Sequence, residues 1–273
     1  MRILATLDEP DYGDAFVDGF SVVDDPDRVR QRLGFMPDYY GAYPDCNCVE
    51  YLDFFARSNG LKGGERRDAL NRVLEFTHMQ HMAEKPTTGL SKGMKQRLCL
   101  GRTLIHDPSV LILDEPAAGL DPRARIELKE MIRGLSEAGK TLLISSHILS
   151  ELAEMCDRVL IIEHGNLIAA GSIDDILSRF TGEGEHDSAT QTVRLTVDVL
   201  DGVCELSEWF KGHGIEIVSQ VRNAFEILVE DDRAVQADLL KRLIDARYSI
   251  VRFSAKQRTL EEAFLKATKG RIQ

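Results

Sequence analysis

Apolar and polar positions follow two different patterns along the chain. Up to about residue 180, short apolar runs such as residues 110–113 alternate with longer stretches in which apolar residues recur at helical spacing, as at Leu70, Val73 and Leu74. Strands that alternate with helices of this length predict a parallel α/β sheet. Residues 181–190 are polar, contain glycine and lack periodicity, so we expect a linker there.

The first part is predicted to contain six strands and six helices. The strands are expected at 15–17, 33–36, 110–113, 141–145, 158–163 and 166–170. The helices are expected at 27–32, 49–58, 65–77, 91–106, 123–138 and 148–156. Residues 1–7 have the pattern expected at the end of a helix.

A second domain is predicted at 191–273, after the linker. Its strands are expected at 192–199, 215–220, 224–229 and 250–254, and its helices at 203–211, 234–246 and from 260 onward. The β-α-β-β-α-β order predicts a small ferredoxin-like α+β module. Because no cluster of catalytic residue types occurs in it, we expect a dimerisation or regulatory role.

Composition narrows the class of protein. The chain has 273 residues, of which 43% are hydrophobic and 29% charged, and these values are typical of a globular protein with a packed core. A formal net charge of -11 without a basic stripe argues against a nucleic-acid partner. Five scattered cysteines indicate a reducing compartment. Since no apolar run approaches the roughly 20 residues that span a bilayer, we expect a cytoplasmic chain.

Two carboxylates follow the most apolar predicted strand. Asp114 and Glu115 come directly after residues 110–113, which places them at the carboxyl end of a buried strand, where open α/β sheets bind ligands. Asp114 offers the hard oxygen ligands that Mg²⁺ prefers, and Glu115 is placed to orient or deprotonate a water. By itself, such a pair could equally well cap the end of the strand.

Two further features suit an anionic ligand. Ser91 and Gly93 stand at the start of a predicted helix, where backbone N–H groups and the helix dipole favour a phosphate. His147 follows the strand 141–145 and could donate a hydrogen bond to a phosphate oxygen. An ordinary helix cap and a structural histidine would explain each residue in isolation. Their fixed order with the acidic pair favours the functional interpretation.

That order resembles the nucleotide-binding domain of ATP-binding cassette (ABC) proteins, which have a P-loop NTPase-like α/β fold. Residues 90–97 resemble the signature motif, 110–115 the Walker B motif, 119–122 the D-loop, and His147 the H-loop histidine. The resemblance covers residues 1 to about 180. Residues 258–264 resemble the C-terminal extension of ABC-2-type exporter ATPases.

The resemblance implies an ATP- and Mg²⁺-dependent ATPase that works as a homodimer or heterodimer with ATP sandwiched between protomers. Ser91, Lys92 and Gly93 would contact the nucleotide held by the partner. The nucleotide or its Mg²⁺ would be bound on the same chain by Asp38, Asp114, Glu115 and His147. Asp121, the aspartate of the D-loop, would also contact the nucleotide. An ABC-2-type membrane permease would hold the protein at the inner face of the membrane, with the aromatic-rich segment 39–55 near the docking surface.

The sequence departs from the family pattern at four places. Lys92 replaces a glycine of the signature, Ala118 a serine of the D-loop, and Asp38 the Q-loop glutamine. The fourth concerns the phosphate-binding Walker A loop, which is expected upstream of residues 1–5, because these resemble the helix that follows it. Its pattern occurs only at 134–141, where a predicted helix precedes and a strand follows, so we interpret it as a helix terminus.

Three functions remain open at this stage. The first is the ATP-hydrolysing subunit of an exporter, and the second is a non-hydrolytic regulatory ABC subunit or an incomplete gene product. The third, a soluble ABC protein acting on ribosomes or DNA, is disfavoured because the chain is acidic and has a single cassette.

Overall fold

The computed structural model describes residues 1–38, 45–181, 192–255 and 259–268. Tyr39, Tyr40 and Tyr43 and the predicted linker beyond residue 181 therefore lie outside the described residues. By its internal contacts the chain divides into two compact units, Met1–Met155 and Cys156–Gln273. The sequence had placed the boundary near residue 180.

The first unit is an α/β structure built around a short parallel sheet. Its strands are β1 (Phe16–Val17), β2 (Phe20–Ser21), β3 (Leu33–Met36), β4 (Val110–Asp114) and β5 (Thr141–Ser145). Its helices are α1 (Pro26–Arg32), α2 (Cys48–Ser58), α3 (Gly63–Phe76), α4 (Lys92–Leu104), α5 (Pro122–Glu137) and α6 (Leu149–Met155). Strands β3, β4 and β5 pair in that order, and both pairings are parallel, as predicted.

Strand β4 lies at the centre of this unit. Leu111, Ile112 and Leu113 are each at most 1% exposed. Leu111 and Leu113 belong to the core formed with helices α2 to α5, whereas Ile112 packs on the other side with Val29 and Val17. A parallel strand that is covered on both faces reads as a continuous apolar run, which explains the sequence of β4. Each fully buried side chain of this kind contributes about 1.5–3 kcal/mol.

The first residues differ from their prediction. Residues 2–6 form turns instead of the end of a regular helix, with hydrogen bonds from Ala5 N to Met1 O and from Leu7 N to Arg2 O, both 3.0 Å. Ala5 is nevertheless 6% exposed and packs with Val29 and Ile112. Ile3 and Leu7 are 39% and 54% exposed, so burial accounts for only part of the apolar pattern, and the hydrogen bonds are too few to form a regular helix.

The second unit combines a hairpin, a four-stranded sheet and four helices among its described residues. Its strands are β6 (Arg158–Glu163), β7 (Asn166–Ser172), β8 (Thr192–Val199), β9 (Glu216–Val221), β10 (Ala224–Glu230) and β11 (Ile250–Ala255). Its helices are α7 (Ile173–Thr181), α8 (Val203–Gly212), α9 (Arg233–Asp245) and α10 (Leu260–Thr268). Helix α7 was not predicted. It packs against α10 and β7, which explains why the segment after Cys156 groups with the C-terminal part.

The four-stranded sheet confirms the predicted ferredoxin-like order. Its strands run β11-β8-β10-β9, and all three pairings are antiparallel. Leu206 and Phe210 of α8 and Leu239 and Leu243 of α9 share one core with the inward side chains of the sheet, so both helices cover the same face. Within the described ranges, no helix combines the length and apolar composition that crossing a bilayer requires.

Candidate functional site

The carboxyl ends of β3, β4 and β5 bring four of the predicted residues to one edge of the parallel sheet. Asp114 is the last residue of β4 and Glu115 follows it, while Asp38 and His147 each stand two residues beyond the end of a neighbouring strand. Asp114 and Glu115 are partly buried, and Asp38 and His147 are exposed. Parallel pairing therefore groups residues that are more than a hundred positions apart in sequence.

Glu115 and His147 form a direct side-chain pair. Oε2 of Glu115 lies 2.8 Å from Nδ1 of His147, and the two side chains are 27% and 69% exposed, respectively. An ionised carboxylate can only accept a hydrogen bond, so Nδ1 carries the hydrogen and Nε2 of the ring is left for a ligand. The pair can orient a water molecule or a phosphate oxygen at the edge of the sheet.

Ser145 is a site residue that sequence reasoning missed. Its hydroxyl donates to Oδ1 of Asp114 at 2.5 Å and accepts a hydrogen bond from the backbone N–H of Glu115 at 3.0 Å. It therefore fixes both carboxylate-bearing residues from the neighbouring strand. The register could have revealed this role, because Ser145 lies directly opposite Asp114 in the β4–β5 pairing.

The loop between β4 and α5 is held by side chains at both of its ends. Gln96, which was also missed, donates from Nε2 to the carbonyl oxygen of Pro116 at 2.7 Å. At the other end, Oδ1 of Asp121 accepts from Ala124 N at 3.0 Å and caps α5. Asp121 is thus an N-cap of α5 as well as a predicted site residue.

The signature segment, residues 90–97, begins helix α4. The Ser91 hydroxyl accepts from Met94 N at 3.3 Å and so caps the helix. A Cβ atom on Gly93 would lie 2.9 Å from Cβ of Ala124, so only glycine lets α4 approach α5 this closely. The Lys92 ammonium lies against Gly119, which has a φ of 66°. The signature segment and the D-loop of the same chain are therefore in contact.

The start of α4 is electropositive although the whole chain is acidic. Lys92 and Lys95 occupy its first turn, which has no acidic residue. Arg97, one turn further, forms an ion pair with Glu127 of α5, and burial and then the nearby Arg123 lower the pKa of Arg97. Free N–H groups at a helix start already favour an anion, and the two lysines strengthen that preference.

The segment 134–141 is a helix terminus, as predicted. Helix α5 ends at Glu137, Gly139 has a φ of 82°, and β5 begins at Thr141. The Lys140 ammonium donates to Oδ1 of Asp107 and to the carbonyl oxygen of Pro108, both at 2.7 Å. Because its amides and its lysine are used locally, this segment is not a phosphate-binding loop.

Metal-ligating groups are sparse at this edge of the sheet. The described part of the chain contains no group of three or more His, Cys, Asp or Glu side chains arranged to hold a metal ion. Mg²⁺ usually keeps several waters and binds one or two carboxylates together with substrate phosphates. Asp114, with one carboxylate oxygen engaged by Ser145, suits that mode of binding and does not suit a closed all-protein site.

A parallel sheet with an acidic pair at the end of its middle strand, next to a serine-capped helix, is typical of α/β domains that bind anionic ligands. Comparison with known proteins narrows this class. Residues 1–118 match the family model described as ABC transporter. The Nod factor export ATP-binding protein I of Ralstonia nicotianae is 35% identical over 67% of this chain. The linearmycin resistance ATP-binding protein LnrL of Bacillus subtilis is 28% identical over 98% of it.

Solved structures agree with these matches. An ATP-binding subunit of an ABC transporter superposes with a TM-score of 0.59 at 29% identity, covering 66% of this chain and 75% of that one. The structure of cbiO1 from Clostridium perfringens, part of the ABC transporter complex cbiONQ, gives 0.57 at 25% identity, covering 65% and 72%. Over about two thirds of its length, the chain is therefore similar to ATP-binding subunits of ABC transporters. It spans 57% of the length of the Ralstonia relative and 84% of the length of LnrL.

Proposed function

We propose that the protein is the ATP-hydrolysing subunit of an ABC exporter and drives transport through a separate membrane permease. The observation that carries this proposal is the pairing of Glu115 with His147 at 2.8 Å, beside Asp114 at the end of β4. The names of the two relatives, which refer to Nod factor export and linearmycin resistance, support an exporter. The transported substrate is not assigned by any described residue.

The acidic pair and the histidine divide the chemistry between them. Glu115, partly buried and held by His147, would orient the attacking water and accept its proton, and such a base typically contributes about 10²–10⁴-fold to the rate. His147 would donate to a phosphate oxygen when it is protonated. Asp114, with Asp38 at the same edge, would hold Mg²⁺, which neutralises charge on the phosphates. Among the described residues, Ser145 bonds to one carboxylate oxygen of Asp114, and the other oxygen would serve this role.

A second protomer would complete the site. Ser91, Lys92 and Gly93 lie at the electropositive start of α4, and the first two are exposed. We assign this surface to the triphosphate bound by the partner, with Asp121 of the D-loop close to the same interface. Either a homodimer or a heterodimer would serve.

The permease, of the ABC-2 type, would hold the protein at the inner face of the membrane. Phe54 on α2 belongs to the aromatic-rich segment 39–55 and is 56% exposed, which supports docking at this place. The ferredoxin-like sheet of the second unit would act in dimerisation or regulation. No feature of the described residues favours a nucleic-acid partner over a permease.

The test is phosphate release from MgATP by the gene product expressed from its own locus. Glu115→Gln should lower the rate at least about 100-fold, because it removes the base and leaves the shape of the site unchanged. Glu130→Gln, an exposed position on α5, is the matched control and should not change the rate. Undiminished hydrolysis by Glu115→Gln would contradict the proposal. Nucleotide binding by the unaltered protein without any hydrolysis would favour a non-hydrolytic regulatory subunit.

A further inference from the structure

Gln96 is a buried amide in the middle of the signature helix. It is 6% exposed, although Ser91 and Lys92 at the start of the same helix are exposed. Its Nε2 donates to the carbonyl oxygen of Pro116 at 2.7 Å. Burying an amide without a partner is unfavourable, so this side chain is favoured there only while the loop after β4 offers that carbonyl.

The carbonyl belongs to the residue that follows the strained Glu115. Glu115 has a φ of 48°, in the left-handed region that non-glycine residues seldom adopt, and a residue before proline normally favours extended backbone. Such a conformation is strained and persists only where the surroundings hold it. The hydroxyl of Ser145 holds the N–H of Glu115, and Ala118 N donates to the Glu115 carbonyl at 3.1 Å. Gln96 holds the next peptide.

Of these contacts, only the one from Gln96 comes from helix α4. The same helix is fixed to α5 by the ion pair between Arg97 and Glu127 and by the close approach of Gly93 to Ala124. Its first two turns are therefore joined both to the loop that carries Glu115 and to the helix that follows this loop. A shift at the start of α4 must either move Pro116 or break the hydrogen bond from Gln96.

We infer that Gln96 is a positioning residue that holds Glu115 in its left-handed conformation from the signature helix. The consequence of this contact for catalysis rests on the proposed function. In the sandwich dimer, the start of α4 binds the nucleotide of one site and Glu115 serves the other. Gln96 then links the two sites through the interior of each protomer, and binding at one site sets the geometry of the base at the other.

The structural part is tested without nucleotide, by amide hydrogen exchange. Gln96→Met keeps the length of the side chain and removes the donor. Thr103→Val is the matched control, because Thr103 is 3% exposed on the same helix and, among the described residues, its hydroxyl bonds to the backbone carbonyls of Cys99 and Phe35. We expect the amides of Glu115 and Ala118 to exchange at least about tenfold faster in Gln96→Met. In Thr103→Val, exchange of the same two amides should rise only as far as any loss of overall stability in that variant explains.

The functional part is tested by steady-state kinetics on the gene product. Gln96→Met should lower kcat about tenfold with little change in KM, because the base is misplaced and nucleotide contacts are kept. Combined with Glu115→Gln, it should cause no further loss, since the residue that it positions is already disabled. Thr103→Val should retain the kcat of the unaltered protein.

Two results would overturn the inference. Unchanged exchange at residues 115–118 in Gln96→Met would show that the loop keeps its shape without the hydrogen bond. Faster exchange together with an unchanged kcat would show that the contact is only structural. If the unaltered protein fails to hydrolyse ATP, that result counts against the proposed function alone, because the exchange measurement still decides whether Gln96 holds Glu115.

Discussion

At the scale of single residues, the candidate site depends on Glu115, whose backbone N–H bonds to Ser145 and whose side chain pairs with His147. The types and order of Asp114, Glu115 and His147 indicated phosphate chemistry. The left-handed backbone of Glu115 and the double hydrogen bond of Ser145 were not predicted, because both depend on contacts between distant segments. Gln96 was missed for the same reason, since its partner lies twenty residues further along the chain.

His106 illustrates how one partly buried residue makes stability depend on pH. Its Nε2 lies 3.1 Å from the carbonyl oxygen of Leu33, and its Nδ1 is buried without a hydrogen-bond partner among the described residues. Burial lowers the pKa of His106, against smaller opposing effects from the Leu33 carbonyl and Asp107. The imidazole is therefore neutral in the folded chain over a range of pH in which the unfolded chain is already protonated.

This difference predicts a loss of stability in acid. Above about pH 6.5, His106 is neutral in both the folded and the unfolded chain, so its contribution to the free energy of unfolding is fully present. As the pH falls below 6.5, the unfolded chain takes up the proton first, so the free energy of unfolding decreases. Denaturant unfolding between pH 7.5 and 5 should show a shallower pH slope in His106→Gln than in the unaltered protein. His81→Gln, at an exposed position, should keep the original slope, and equal slopes in all three proteins would contradict the prediction.

At the scale of secondary structure, periodicity predicted most elements within two residues. Two segments are exceptions. Residues 1–7 form turns although Ala5 is buried, and α7 was missed although Ile173, Ile176 and Phe180 recur at helical spacing. Strand order is not encoded in periodicity. The grouping of Asp38, Asp114 and His147 at one edge became certain only when the β3-β4-β5 pairing was known.

The junction between α5 and β5 carries a direct prediction. Lys140→Ala removes hydrogen bonds to Asp107 and Pro108 at a side chain that is 18% exposed, and it should lower the free energy of unfolding by about 1 kcal/mol. Nucleotide affinity, measured by equilibrium binding, should not change. Lys129→Ala is a matched control, because Lys129 is equally exposed and forms its own ion pair with Glu154. A collapse of nucleotide binding in Lys140→Ala alone would show that this segment binds phosphate.

At the scale of the whole molecule, the charge distribution favours a pair of protomers that meet around an anion. The chain has a formal net charge of -11, so two copies repel each other unless an attractive contact is localised. The start of α4 is such a place, with two lysines, a serine cap and free amides. A triphosphate with Mg²⁺ would lie between that surface and the acidic edge of the partner. Its phosphates would balance the lysines, and its Mg²⁺ would balance the partner's carboxylates.

The most direct measurement is the mass of the Glu115→Gln gene product in solution, with and without MgATP. Light scattering should show a doubling of mass only when the nucleotide is present, because binding is retained while hydrolysis is blocked. Adding Ser91→Glu, which places a carboxylate against the partner's phosphates, should abolish the doubling, whereas Ser58→Glu at an exposed position should not. A mass that does not respond to MgATP, or pairing that survives Ser91→Glu unchanged, would contradict a nucleotide held between the signature helix of one protomer and the acidic pair of the other.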